Sequence, residues 1–431
     1  MEIQSSRKIA RKVTEYNGKD KRTLEVGKTN PEADRVTIGG IGERVGETAR
    51  DLFLPQNYPN SVSKDYTATR AWWFARDVFS NAVGYCSGAA IGSALGIHPV
   101  WGGAGMASFN MIRDRTSQTV GFASSFLTPT ADKNPRPWIV TGELLESAGM
   151  TLETAAASYS DQLLSIALSA SVIRVVAGAM KGAGMANIGP RQAISDNLGE
   201  VGAKNGNQGF VASLLGAGIG MAAHSALSSA IGTGPASTLI AAVGSAGAIF
   251  STSMMVNSLN MNPVNETAID RLAESLDKNG EVVKPYSSVW RELPSMARFS
   301  QYPMGLSVEP LLKDEKRFKE LEELYSGRKY MMDIVDDEPY VVLAQDSEPE
   351  DRFQAALQCA FLTRLKKSDE TLNNKELVEQ SLAKTPADAA ALLKKMEEAG
   401  WSTDMVRVDD SGIRVDWKAG GQDGSGESKA S

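Results

Sequence analysis

Three glutamates, Glu143, Glu146 and Glu153, stand at intervals of three and seven residues, so a helix carries them along one side. Carboxylates grouped this way can hold a cation or a cationic ligand. More commonly such a row is the wet face of a helix, and that is the expectation here. Three basic residues, Arg174, Lys181 and Lys204, stand beside runs that are otherwise free of charge. A cation among apolar helices is usually paired or functional. These three are expected to line a polar interior or an interface.

Other patterns come close to known chemistry and miss. Val26 to Asn30 reads VGKTN, but a phosphate-binding loop needs a glycine where Arg22 stands. Gly40, Gly42 and Gly46 approach a dinucleotide fingerprint, with the third glycine one residue late and Pro55 and Pro59 breaking the unit that follows. Ser195-Asp196 has no histidine nearby to act as base. The two histidines, His98 and His224, sit in apolar surroundings, and the two cysteines, Cys86 and Cys359, are far apart. The sequon Asn265-Glu266-Thr267 follows no secretory signal. The expectation is therefore a non-enzymatic protein with no cofactor and no metal. Two cysteines in a chain of this length fit a reducing compartment.

The 431 residues allow roughly two to three domains. A net charge of −7 argues against a nucleic-acid partner, because phosphate contacts need clustered Lys and Arg. Residues 1–48 are polar, basic at the start and dotted with glycine, and are expected to be a flexible arm. From Asn205 to Asn265 there is no Asp, Glu, Lys or Arg. Two apolar segments lie in that gap, Gly209 to Ile231 and Ala236 to Val256, separated by the turn sequence Gly232 to Pro235. Each approaches the roughly 20 residues that cross a bilayer. Gly216 and Gly220, and then Ser237, Ala241 and Ser245, repeat at four-residue spacing, which lets helix backbones approach closely. Two more helices are read upstream, Val78 to Ile97 with a stripe of Gly84, Gly88 and Gly92, and Leu163 to Met185. A buried hairpin in a soluble helical protein is the competing reading of the same segments.

Beyond Asn262 the chain becomes charged and proline-broken. From about Leu311 it alternates helices with short strands. Lys329 to Val335 and Tyr340 to Ala344 flank the turn DDEP. Ser347 and Glu350 fit a capping box ahead of a helix that buries Phe353, Leu357, Ala360, Phe361 and Leu365. Met405 to Val408 and Ile413 to Trp417 flank DDSG and read as a second hairpin. The fold class is thus mainly α, a small-residue-rich, membrane-embedded helical bundle over 49–292 followed by a small soluble α+β domain over 305–418. Residues 419–431 are expected to be a disordered tail.

Five stretches carry a resemblance to the root UVB-sensitive family. They are LPQNYPNSVSKDY at Leu54–Tyr66, followed by Trp72 and Trp73; Phe109–Ser125; Asp132–Glu153; Asn197–Gly216; and NSLNMNP at Asn257–Pro263. Arg115, and Asn262-Pro263 after Leu259-Asn260, depart from the family pattern and mark a divergent member. The resemblance implies a eukaryotic membrane protein, in plants linked to UV-B response and pyridoxal phosphate homeostasis, with some members in plastids. It implies no reaction. The motif residues Asp65, Tyr66, Trp138 and Asn260 then join Glu143, Glu153, Arg174, Lys181 and Lys204 as candidates for binding or structure. Tyr58, Tyr66, Trp72 and Trp73 are expected as anchors in the headgroup region. The expected partners are the lipid membrane and a protein, such as another family member. A scaffold or regulator is the leading expectation, and a carrier for a small anionic metabolite such as a phosphorylated vitamer is the alternative. The expected location is a membrane of a plastid or another organelle.

Overall fold

The run from Asn205 to Asn265 folds as two long antiparallel helices joined at Gly232, whose φ of 86° suits glycine best. The computed structural model describes residues 12–17, 20–25, 48–94, 131, 133–156, 158–294 and 302–417. The helical half contains α1 (Tyr66–Ala94), α2 (Pro135–Ala156), α3 (Leu163–Met185), the short α4 (Ile188–Gln192), α5 (Leu198–Ile231) and α6 (Thr233–Ser258). Phe109–Ser125, His98, the tail and most of the arm lie outside the described residues. Within the stretch expected to be a flexible arm, β1 (Lys12–Asn17) and β2 (Asp20–Glu25) pair as an antiparallel ribbon.

Packing puts α1 at the centre. Thr69 meets Ser258 at one end of α6, and Phe79 and Val83 meet Gly247 and Gly244 further along, so α1 and α6 are antiparallel. Val78 and Ala82 meet Gly216 and Gly220, so α1 and α5 are parallel. Arg76 reaches Glu143 and Glu146, and Val83 further along packs with Met150, so α1 and α2 are parallel as well. The starts of α1, α2 and α5 and the ends of α3 and α6 therefore share one end of the bundle. The segments Leu163–Gln192, Leu198–Ile231 and Thr233–Ser258 are long and apolar enough to cross a membrane. At 1.5 Å per residue α5 and α6 extend about 50 and about 40 Å, against a hydrocarbon core of roughly 30 Å.

Glycine fixes the approach of α2 to α3. A Cβ on Gly142 would lie 2.5 Å from Lys181 Cγ and 2.8 Å from the Ala177 carbonyl. A Cβ on Gly149 would lie 2.6 Å from Arg174 Cγ, and one on Gly184 2.6 Å from Ile139 Cγ1. The stems of Lys181 and Arg174 thus lie across glycines of the partner helix. The expected stripe on α1 behaves differently: Gly84 and Gly88 face open space among the described residues. The close contacts of α1 are made by glycines of its neighbours. Ser237, Ala241 and Ser245 are all buried, as their spacing predicts.

The second half is an α+β unit on the shared end of the bundle. β3 (Pro263–Asn265) leads into α7 (Glu266–Asn279), capped by the Asn265 side chain and stopped by Gly280 in the left-handed region. After α8 (Glu309–Leu312) and α9 (Glu315–Leu324), β4 (Tyr330–Val335) and β5 (Glu338–Leu343) form the expected hairpin. Asp336 and Asp337, both at positive φ, make its turn. Then come α10 (Pro349–Ser368), α11 (Asn374–Lys384), α12 (Ala389–Glu398) and β6 (Ser402–Arg407). One core joins Ile269 and Leu272 of α7 to Met331, Val341, Phe353 and Phe361. Gln358 sits fully buried inside it and donates to Tyr325 (2.7 Å) and Ser381 (3.2 Å). Two expectations are corrected. The capping interaction sits one residue later, with Asp351 accepting from the Glu348 N–H at 2.8 Å. The second hairpin does not form: β6 pairs in parallel with β3, and Val415 bridges Ala344 in parallel. The segments flanking DDSG satisfy their backbone groups with distant strands rather than with each other.

The glycine contacts give a direct test. Gly142→Ala and Gly149→Ala should each destabilise the bundle by about 1–3 kcal/mol, because backbone and aliphatic stems must move. Gly178→Ala and Gly182→Ala, where nothing lies within 4 Å, should be neutral or stabilise by up to about 1 kcal/mol through helix propensity. Thermal unfolding of the purified chain in detergent, followed by circular dichroism, separates the two pairs.

Candidate functional site

The last turn of α6 and the loop after it read Asn257-Ser258-Leu259-Asn260-Met261-Asn262-Pro263, and the three asparagines bond to several parts of the molecule. Asn257 Oδ1 accepts from the Val289 N–H at 3.0 Å and from Arg136 Nη2 at 3.5 Å. The Asn260 N–H donates to Asp65 Oδ2 at 2.9 Å. Asn262 Oδ1 accepts from Arg136 Nη1 at 2.6 Å, while its amide donates to the Gly400 carbonyl at 3.0 Å. Arg136 is held between two prolines at the start of α2, is buried, and pairs with Glu292 at 2.9 Å. One short loop thus ties the proline-rich entry of α1, the start of α2 and the C-terminal domain together.

A cleft of about 630 Å³ opens beside that loop. Its walls are Ser63, Lys64 and Asp65 before α1, Ile188, Arg191 and Gln192 of α4, and Ser258 to Met261. Asp65 is committed inward, accepting from Ser63 Oγ and the Asn260 N–H. Arg191 pairs with Asp404 of β6 at 3.6 Å. Gln192 is 2% exposed, and its Nε2 has no hydrogen-bond partner among the described residues. Among the described residues, no set of three His, Cys, Asp or Glu is placed to hold a metal ion.

The carboxylates of α2 lie inside the bundle. Glu143 and Glu153 are each 1% exposed, so the expectation of a wet helix face is overturned. Glu143 accepts from Arg76 Nε at 2.8 Å and Lys181 Nζ at 3.3 Å. Glu146 pairs with Arg76 Nη2 at 2.7 Å and with Lys181. Glu153 pairs with Arg174 at 2.6 Å. These charges are compensated within the chain, which is the condition for keeping them out of water.

The remaining candidates are spread out. Lys204 donates to the Asp51 carbonyl at the foot of α5, away from Arg174 and Lys181. Trp138 packs with Ala131 and Met180 between α2 and α3. Tyr66 is 1% exposed and donates to Asn205 Oδ1 at 3.0 Å, so it is not presented to a headgroup as expected. Its aromatic neighbours Trp72 and Trp73 are half-buried: Trp72 is edge-on to the exposed Phe250 at 5.7 Å, and Trp73 lies under the Arg70 guanidinium at 4.7 Å. Asp65 and Asn260 do come together, at the cleft. Sequence reasoning passed over Arg76, Arg136, Arg191, Gln192 and Glu292. Two of these carried a local signal: Arg76-Asp77 interrupts an aromatic helix, and Arg136 is flanked by prolines.

Two tests follow from these charges. Glu143→Ala removes the more deeply buried of the two carboxylates that Arg76 and Lys181 share, and a loss of about 3 kcal/mol in unfolding free energy is expected. Burial pushes the Glu292 carboxyl up to about 6, more than Arg136 pulls it down. The folded chain therefore binds that proton more tightly than the unfolded chain. The resulting stabilisation is complete below about 4.5 and is lost as pH rises through about 6, a change of about 2 kcal/mol. Thermal unfolding of Glu292→Gln between those pH values should lack this slope; an unchanged slope would assign it to other groups.

The chain matches two family profiles in succession over most of its length. Residues 42–280 match the vitamin B6 photo-protection and homoeostasis domain, and residues 288–417 match the root UVB sensitive protein C-terminal region. Protein root UVB sensitive 3 of Arabidopsis thaliana is 21% identical over 428 residues, covering 94% of each chain. RUS family member 1 of Dictyostelium discoideum is 28% identical over 169 residues, 38% of this chain and 32% of the relative. Protein root UVB sensitive 5 of Arabidopsis thaliana is 27% identical over 184 residues, 41% and 36% of the two chains. No solved structure matches. With both halves of the chain matched in order, the protein is a divergent member of the root UVB sensitive family.

Proposed function

We propose that this chain is an integral membrane protein that serves vitamin B6 homeostasis and the UV-B response as a non-enzymatic scaffold or regulator, with the C-terminal domain as its partner-binding module. The observation that carries the membrane assignment is the outer surface of the charge-free hairpin. On α5, Phe210 is 65% exposed, and Leu214, Ile219 and Met221 are exposed with it; on α6, Val243 is 61% exposed beside Leu239 and Phe250. Large apolar side chains exposed in this number along an uncharged hairpin are costly in water and are expected against lipid. The family profile supplies the link to vitamin B6.

In this reading the entry loop, the cleft and the C-terminal domain face one compartment, because they share one end of the bundle. A partner, such as another member of the family, meets the C-terminal domain there. The scaffold reading is favoured over a carrier because Arg174 and Lys181 already hold carboxylates of α2. The organelle is a membrane-bounded one, with a plastid as the proposal from resemblance. Carbonate extraction of membranes from cells expressing the full chain is the test. The protein should stay in the pellet at high pH; release into the supernatant would remove the integral-membrane assignment.

A further inference from the structure

The cleft beside the asparagine loop has the features of a ligand site. Two cations line it from separate elements, Lys64 from the entry loop and Arg191 from α4. Lys64 is exposed and its side chain makes no ion pair or hydrogen bond among the described residues. The Arg191 pair with Asp404 is long, and both side chains reach solvent, at 30% and 69% exposure, so an incoming anion competes with Asp404 at modest cost. Asp65 lines the same cleft, but its oxygens accept from Ser63 and the Asn260 N–H and hold the loop in place. Gln192 adds a buried amide donor without a partner among the described residues. Ile188, Leu259 and Met261 supply an apolar wall, and the volume of about 630 Å³ lies in the range of small-molecule sites.

We propose that this cleft binds a small organic anion. Its phosphate or carboxylate is taken by Lys64 and Arg191, its apolar body lies on Ile188, Leu259 and Met261, and an acceptor atom meets the Gln192 amide. The cleft lies at the end of the bundle where the helices would leave a bilayer. The same phosphate chemistry is therefore offered by a soluble metabolite or by an anionic lipid headgroup.

The experiment is isothermal titration calorimetry on the full chain in nanodiscs of phosphatidylcholine. The probes are pyridoxine 5′-phosphate, pyridoxine and inorganic phosphate. The phosphorylated alcohol is chosen because it lacks an aldehyde and cannot condense with surface lysines. Pyridoxine 5′-phosphate or inorganic phosphate should bind, pyridoxine at least tenfold more weakly, and Lys64→Gln/Arg191→Gln should lose at least tenfold in affinity. Lys64→Glu alone, at an exposed position, should weaken binding in the same direction and covers the case of a misfolded double variant. If phosphatidic acid in the nanodisc abolishes the phosphate-dependent heat, the lipid headgroup is the source of the anion; if it does not, a soluble metabolite is. Absence of binding by either phosphate, equal binding of pyridoxine, or unchanged binding by the charge variants would overturn the proposal. Each of these outcomes leaves the carbonate-extraction result untouched, so the ligand site and the membrane assignment fail or stand separately.

Discussion

The missing side chains of Gly142 and Gly149 set the terms for the helical half. Their absence lets the stems of Lys181 and Arg174 cross the face of α2 and deliver their charges to Glu143, Glu146 and Glu153. Those carboxylates are buried, so they need the cations; the cations reach them only across glycine. Arg76 of α1 closes the same network from a third helix. Helix spacing and charge compensation are therefore one constraint. In a bilayer this matters more than in water, since apolar contact alone gives helices little reason to prefer each other over lipid tails.

The asparagine loop does for the two halves what glycine does for the bundle. The Asn257 and Asn262 side chains both accept from Arg136 and reach on to Val289 and Gly400, while Asn260 holds Asp65 through its backbone N–H. Arg136 and Glu292 add a buried ion pair at the same junction. The Lys133 to Asp409 and Arg191 to Asp404 pairs draw the last strand region toward it. The end of the bundle is thus densely connected by polar contacts, and the cleft lies within it.

Much of this was legible in the residues. The absence of charge between Asn205 and Asn265 and the turn at Gly232 to Pro235 specify the hairpin through local chemistry. The four-residue spacing of Ser237, Ala241 and Ser245 names its buried face correctly. The Asp336-Asp337 turn and its flanking strands are likewise local. What was not legible depends on partners distant in sequence. Gly84 and Gly88 look like a packing stripe but meet nothing described, while Gly142 and Gly149 work because Lys181 and Arg174 happen to face them. A row of glutamates reads the same on a wet face and on an ion-paired one. A parallel strand pair leaves no turn signal at all, so β6 was assigned to the wrong neighbour. At the site, Asp65 and Asn260 were singled out as motif residues, but the cleft between them needs α4, whose Arg191 and Gln192 carry no pattern of their own.

The parallel pairing of Val264 and Asn265 with Val406 and Arg407 has a consequence for biosynthesis. A nascent chain leaves the ribosome from its N-terminus. The edge of β3 is therefore unfilled throughout synthesis of α7 to α12 and closes only when β6 emerges. The hairpin of α5 and α6 is complete by then and free to partition during translation. The C-terminal domain locks onto the bundle as a late event, after the helices have chosen their surroundings.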